Sequence, residues 1–369
     1  MLEGVSDKAY QLSNELASVA PVLRMRADNG LYDKVFEAAF AANEFFTPYM
    51  VKYALGEVCS MMEHSHLLAE MIDDYVTTLP DKSLIEGEVT VEAGAVRDSV
   101  TRNILIIMAG NIPLVGFHDF LCALLCGYDA IVKLSSKDAV LLPWLYGELE
   151  RLCPAVRGRV TFIRNKEELQ EIKKTDVKAV LATGSSSTVK MINREFAGIP
   201  VLSRGSRFSF ALLKGNEMEE QIDALCNDMF LYYGLGCRSV SNLFVPNGYD
   251  FKKIIEHGQR YRELLTGQRW HNSHKRCGAI AVMDGICVAD GGFFTLVEKG
   301  QPWMEMSEIG VWYYNNMNDV EQFEERFKDN IQKKYLTFGL AQRPKVNEFA
   351  DNKNSIFFLL HNIGYDLQV

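Results

Sequence analysis

The sequence predicts a doubly wound α/β fold, and three features predict it. Continuous apolar runs of strand length recur, as expected of strands buried on both faces. Helix-length segments with short connections separate them. Several runs end in small polar residues, which is where ligands bind at the carboxyl edge of such sheets. A chain of 369 residues, 48% hydrophobic and 24% charged, has the balance of a soluble globular protein of two domains.

From Met1 to about Asp81 the pattern is helical. Leu12, Leu16 and Val19 recur at helical spacing, as do Phe36 and Phe40, then Met50, Val51, Ala54, Leu55 and Val58, then Leu67, Leu68, Met71 and Ile72. Pro21, Pro48 and Pro80 are expected to punctuate these helices. Gly87 to Val96 alternates like a short strand or hairpin. The first buried strand is Asn103–Met108, ending in Ala109-Gly110-Asn111-Ile112-Pro113 ahead of a helix through Leu125. Strands at Ala130–Leu134, Val160–Ile163 and Ala179–Ala182 alternate with helices, and Pro200–Ser203 and Phe208–Leu213 follow as further strands. A second unit is expected from about Asn216. It has a helix over Ile222–Phe230, strands at Asn242–Pro246, Ala279–Met283 and Gly310–Tyr314, and a helix from Val320 to Gln332. The predicted domains are therefore 1–215, 216–345 and a C-terminal tail, 346–369.

A formal net charge of −9 argues against a nucleic-acid or anionic-membrane surface as the main partner. The 8 cysteines are scattered, with no pair at zinc-site spacing and too few for a disulfide scaffold. His64 and His66, two apart on a helix, face different ways and do not suggest a metal site. Reduced thiols, the absence of a signal-peptide pattern and the absence of a membrane-length apolar run lead to the expectation of a cytoplasmic protein.

Three polar loops follow strands, at Asn111, Lys133 and Gly184, and topology alone places them on one rim. Thr183-Gly184-Ser185 has two readings: a phosphate cradle at a helix N-terminus, or an ordinary Ser/Thr cap. No dinucleotide or P-loop fingerprint accompanies it. Lys133 is either a ribose or phosphate ligand or an exposed lysine. Asn111 either donates its amide to an oxyanion or shapes the turn before Pro113. In Tyr233-Gly234-Leu235-Gly236-Cys237-Arg238-Ser239-Val240 a cysteine follows a Gly-x-Gly step and precedes an arginine. Glycines allow close backbone approach, and a neighbouring guanidinium favours the attacking thiolate. The alternative is a small cysteine packed in a core.

Taken in order, these segments resemble the aldehyde dehydrogenase superfamily, and within it the LuxC-type acyl-CoA reductases. The likeness runs from about Asn103 to Leu360. It rests on Ala109–Pro113, Ile131-Val132-Lys133-Leu134-Ser135-Ser136, Ala182-Thr183-Gly184-Ser185, the Cys237 loop, and Phe338-Gly339-Leu340-Ala341-Gln342-Arg343-Pro344 with Phe349-Ala350-Asp351. The resemblance implies two doubly wound α/β domains with the active site at their interface. It implies Cys237 as nucleophile and Asn111 as oxyanion donor. Lys133, Ser135, Ser136, Thr183, Gly184, Ser185 and Glu305 become the cofactor-binding residues.

Two departures refine what is implied. Ser203-Arg204-Gly205-Ser206-Arg207-Phe208 has no carboxylate where hydrolytic members keep the base that activates water, which suits release of the acyl group other than to water. Ser136 and Lys137 stand where NAD-preferring members carry an acidic residue, which favours NADPH. The expected activity is NADPH-dependent reduction of an acyl thioester, fatty acyl-CoA or acyl-carrier, to an aldehyde through a cysteinyl thioester. Reduction of another activated acyl group such as an acyl phosphate, and a non-catalytic acyl-transfer or scaffold role, stay open. The resemblance further implies a homo-oligomer, dimer or tetramer, with the tail near Ile356–Leu360 as a contact.

Overall fold

The computed structural model describes residues 3–78 and 103–363. The expected hairpin at 87–96 and the helix end near Asp81 lie outside them. The chain divides into two compact units, Met1–Ala39 with Lys52–Gly205 and Lys345–Val369, and Phe40–Val51 with Ser206–Pro344.

The chain opens with helices α1 (Glu3–Asp28), α2 (Asp33–Ala42), α3 (Pro48–Glu63) and α4 (His66–Thr78), of which the end of α2 and the start of α3 count with the second unit and the rest with the first. Pro48 starts α3, where its missing N–H costs nothing, but Pro21 does not break α1 as expected. Leu16, Val19, Ala20 and Leu23 around it are at most 4% exposed. Their burial outweighs a proline penalty of about 3 kcal/mol.

Five parallel strands follow: β1 (Asn103–Ile107), β2 (Asp129–Lys133), β3 (Val160–Ile163), β4 (Ala179–Thr183) and β5 (Val201–Arg204), in the order β3-β2-β1-β4-β5. Helices α5 (Phe117–Leu125), α6 (Leu141–Leu152), α7 (Lys166–Glu171) and α8 (Ser186–Glu195) connect them. Eight of the nine α5 residues are buried, Asp119 among them, so this mostly apolar helix is covered on nearly every side. Leu105, Ile107, Val180 and Ala182 pack with Leu169, Ile192 and Phe196 into one core cluster. The strand order reverses between β1 and β4, each of which continues outward on its own side.

The second unit has α9 (Glu219–Phe230), α10 (Lys252–Gly258), α11 (Gln268–Met283) and α12 (Met317–Phe327) around a six-stranded sheet. Its strands are β6 (Phe208–Leu212), β7 (Val240–Pro246), β8 (Cys287–Asp290), β9 (Thr295–Val297), β10 (Glu308–Tyr314) and β11 (Ile331–Tyr335), in the order β11-β6-β7-β10-β9-β8. Only the β8–β9 pair is antiparallel. Phe208, Phe210, Phe244, Val320 and Phe323 form its core under α12, and each buried phenylalanine contributes roughly 2–3 kcal/mol.

Several expectations are corrected. Ala279–Met283 is the end of α11, not a strand. Trp270, Cys277 and Ala281 are buried while Val282 and Met283 are exposed, a helical alternation that a five-residue apolar run conceals. The helix expected to reach Gln332 ends at Phe327 and gives way to β11. The boundary near 215 falls earlier because β6 pairs with β7 and β11. The tail is no separate element, since α13 (Ser355–Ile363) buries Ile356, Leu359 and Leu360 within the first unit. Those three side chains are not available to a second copy.

Candidate active site

Parallel pairing puts every carboxyl end of the first sheet on one edge. Ile107 is in register with Lys133 on one side and with Ala182 on the other. The loop after β1 and the Thr183–Ser185 turn after β4 therefore flank the switch point, the position at which doubly wound sheets bind their ligands.

The β1 and β2 loops are locked together. A Cβ on Gly110 would lie 2.5 Å from Ser135 Oγ and 2.6 Å from Ser135 Cβ, so only glycine lets the two backbones approach this closely. Asp138, just past Ser136 and Lys137, reaches back to accept hydrogen bonds from Leu114 N at 3.0 Å and Leu141 N at 3.3 Å. Its carboxyl is buried, and that burial pushes its pKa up to about 6 against the pull of both N–H donors. Leu114 is itself left-handed, with φ of 57°. Asn111 lies half-buried in the loop so held, while Ser136 and Lys137 are exposed.

Lys133 ends β2 half-buried, with Nζ donating to Leu134 O at 2.6 Å. Burial first and the nearby Lys166 second lower its pKa. Ser185 caps α8, its Oγ accepting from Thr188 N at 3.2 Å. A Cβ on Gly184 would stand 3.2 Å from the Thr188 side chain. The carboxylate-free 203–207 segment carries Arg204, which turns inward. Arg204 pairs with Asp119 at 2.5 Å and donates to Ser355 Oγ at 2.8 Å, and Ser355 donates to Asp119. This buried triad fixes α13 to the unit.

In the second unit the Cys237 loop joins α9 to the amino end of β7. Before it, Tyr232, Tyr233 and Gly234 are all left-handed, with φ of 56°, 57° and 61°. Each non-glycine residue there costs about 1–2 kcal/mol. Strain of this kind persists only where the surroundings enforce it. Here the Tyr233 ring sits 4.8 Å from Phe45 and 5.7 Å from Trp270, and its hydroxyl accepts from Gly267 N. Cys237 follows, half-exposed. Its carbonyl accepts a 2.8 Å hydrogen bond from Ser209 Oγ. Gln342 Nε2 donates to Ser239 Oγ at 2.9 Å, and Ser239 N donates to Gly236 O. The 338–342 loop is held in turn by buried Asp228, which accepts from Gly339 N at 2.6 Å and Ala341 N at 2.9 Å.

The other seven cysteines all have thiols raised by burial: Cys59 to about 11, Cys153 to about 12, and Cys122, Cys126, Cys226, Cys277 and Cys287 upward too. Six of these seven are buried, the setting of an inert thiol, whereas Cys287 is partly exposed like Cys237. Glu305 is exposed and pairs with Arg276 at 3.4 Å, whereas Glu308 is buried, pairs with Lys299, and accepts from Glu305 N. Sequence reading missed Asp138, Ser209, Asp228 and Gln342. The available signals were Ser209, a lone hydroxyl in an all-buried strand, and Gln342 inside the closing motif. Among the described residues no group of three His, Cys, Asp or Glu could hold a metal, and no helix is long and apolar enough to cross a membrane.

The profile of the family described as acyl-CoA reductase (LuxC) matches residues 32–260. The chain belongs to that family. A curated relative, the long-chain acyl-protein thioester reductase of Vibrio harveyi, is 24% identical over 307 residues, 76% of this chain and 63% of the relative. This LuxC-family chain thus spans less than two thirds of that relative's length. Among solved structures, betaine aldehyde dehydrogenase of Staphylococcus aureus with NAD+ superposes with a TM-score of 0.61 at 13% identity, over 91% of this chain and 72% of that one. The aldehyde dehydrogenase 21 of Physcomitrella patens, with succinate, gives 0.59 at 13% identity over 90% and 74%. At such identities the likeness establishes the fold, which is that of the aldehyde dehydrogenases.

Proposed function

We propose that this protein reduces an acyl thioester, acyl-CoA or acyl-carrier, to an aldehyde with NADPH, by way of a thioester on Cys237. The observation that carries the reading is the setting of Cys237. It is half-exposed, just after a strained turn, in a LuxC-family chain in which six of the other seven cysteines are buried and the seventh, Cys287, lies on no such turn. The Vibrio harveyi relative is named for reduction of an acyl-protein thioester, which supports the substrate class.

In this reading the Cys237 thiolate attacks the thioester carbonyl, and the Sγ–C bond forms as the C=O π pair moves onto oxygen. The Asn111 amide and a backbone N–H of the nucleophile loop receive that oxyanion, at about 3 kcal/mol per donor. Collapse expels the donor thiolate, leaving the acyl group on Cys237. With no carboxylate in the 203–207 segment, no side chain there activates water against it.

The residues present fit a dinucleotide. Ser185 caps a ten-residue helix whose first N–H groups face the carboxyl edge of the sheet, and Lys133 ends a neighbouring strand. Lys133, Ser135, Ser136, Thr183, Gly184 and Ser185 would hold it, and Glu305 is assigned to its second ribose. Aldehyde dehydrogenases solved with NAD+ support a nicotinamide cofactor. The exposed Ser136 and Lys137 support a 2′-phosphate. When bound, the cofactor would supply the hydride that takes the acyl carbon to the aldehyde level, with the C–Sγ bond breaking to free the aldehyde and return Cys237 as a thiolate.

Incubating wild type and Cys237→Ala with radiolabelled acyl-CoA, and in parallel with acyl phosphate, tests the reading. Wild type is expected to take up label from the thioester and the variant none, with NADPH binding by calorimetry unchanged. Equal labelling of the variant removes Cys237 from the mechanism, and faster turnover of acyl phosphate replaces the substrate class.

A further inference from the structure

We propose that Gln342 is a positioning residue for Cys237, and that the 338–342 loop exists in this fold to brace the nucleophile turn. The inference rests on the reading of Cys237 as nucleophile. It assigns a role to a segment that the chemistry above leaves unused.

Four observations carry it, all within the second unit. Gln342 is 7% exposed and Ser239 is 1% exposed, so their 2.9 Å bond is shielded from competing water and costly to leave unmade. Ser239 lies two residues after Cys237 and closes the turn through its N–H to Gly236 O. A displaced Ser239 therefore moves the peptide that carries the thiol. The loop bearing Gln342 is not free to follow, because both oxygens of Asp228 hold the N–H groups of Gly339 and Ala341. Asp228 belongs to α9, the helix that leads into the strained Tyr232–Gly234 turn. The nucleophile turn is thus gripped at its exit by Gln342, from a loop anchored to the same helix that feeds its entrance.

Hydrogen exchange of the 231–241 peptide and single-turnover acylation of Cys237 by dodecanoyl-CoA test this together, in wild type, Gln342→Ala, Ser239→Ala and the double variant. Each single change is expected to raise exchange in that peptide while the α12 peptide stays as in wild type. Acylation should slow by roughly tenfold, with its dependence on acyl-CoA concentration unchanged. The double variant should be no worse than either single, because both act through one bond. Gln342→Glu, whose carboxylate accepts from the Ser239 hydroxyl, should recover much of the protection. Should Gln342→Ala fail to fold, Ser239→Ala supplies the same readout by removing one hydroxyl. Unchanged exchange at 231–241, or additive losses in the double variant, overturn the proposal. Loosened exchange in a protein whose wild type is never acylated would sink the thioester-reductase reading and leave the bracing role standing.

Discussion

Ser209 Oγ donates a 2.8 Å hydrogen bond to the carbonyl oxygen of Cys237, and Ser209 is wholly buried in β6. A hydroxyl inside an otherwise apolar strand costs free energy unless it is bonded. Here its partner is the backbone of the candidate nucleophile. Ser209→Ala is expected to leave that carbonyl without this donor, lower stability by about 1–2 kcal/mol and slow Cys237 acylation. Urea denaturation and single-turnover labelling check the two effects. Unaltered acylation would confine Ser209 to a structural role.

Gly110 and Gly56 make opposite predictions. Adding a Cβ at Gly110 drives it to 2.6 Å from Ser135 Cβ, an atom fixed directly to the backbone, so Gly110→Ala should cost about 1–3 kcal/mol and displace the Asn111 loop. Gly56 lies in α3 with nothing within 4 Å of an added Cβ. Gly56→Ala should stabilise the fold by about 0.5–1 kcal/mol through helix propensity and so raise the melting temperature. Thermal melts of the pair decide; equal shifts would mean the close approach at Ser135 is not constrained.

Cofactor preference is expected to turn on Ser136. This exposed residue follows Lys133 by three positions, and a carboxylate there would repel a 2′-phosphate. Ser136→Glu should weaken NADPH binding roughly tenfold or more and leave NADH within a few-fold. Calorimetric titration with both dinucleotides checks this, and parallel losses would remove Ser136 from the phosphate site.

Asp228 gives a pH signature in stability. Burial raises its folded pKa to about 6 from the ordinary 3.8 of an aspartate, despite donors at Gly339 and Ala341. Between these values the folded state holds the proton more tightly than the unfolded one. Its stabilising contribution is therefore full below about pH 4 and lost as pH rises through 6. Compared with Asp228→Asn, wild type should lose on the order of 2 kcal/mol from pH 4 to pH 7. Urea midpoints across that range measure it, and parallel curves would place the carboxyl in a wetter setting.

The elements legible in the sequence were those with a local signature. The buried runs of β1, β4, β6, β7 and β10 announce themselves as apolar stretches, and β2, β3 and β5 as short runs between helices. The polar loops after β1, β2 and β4, and the glycines before Cys237, are visible because turns demand particular residues. Where a stretch was short or mixed, local pattern misled: 279–283 closes a helix, 331–335 is the edge strand β11, and Pro21 sits within α1. In each case packing, not propensity, chose the state.

By itself the sequence determined the doubly wound class and pointed to the candidate nucleophile and the polar loops after β1, β2 and β4. It did so because strand periodicity and turn chemistry are properties of neighbouring residues. The tertiary structure alone decided what holds those loops still. Asp138 reaches Leu114 over 24 positions, Ser209 reaches Cys237 over 28, and Gln342 reaches Ser239 over 103. A hydrogen bond between distant residues leaves no local spacing to read, since its geometry exists only after the sheet has brought both ends together.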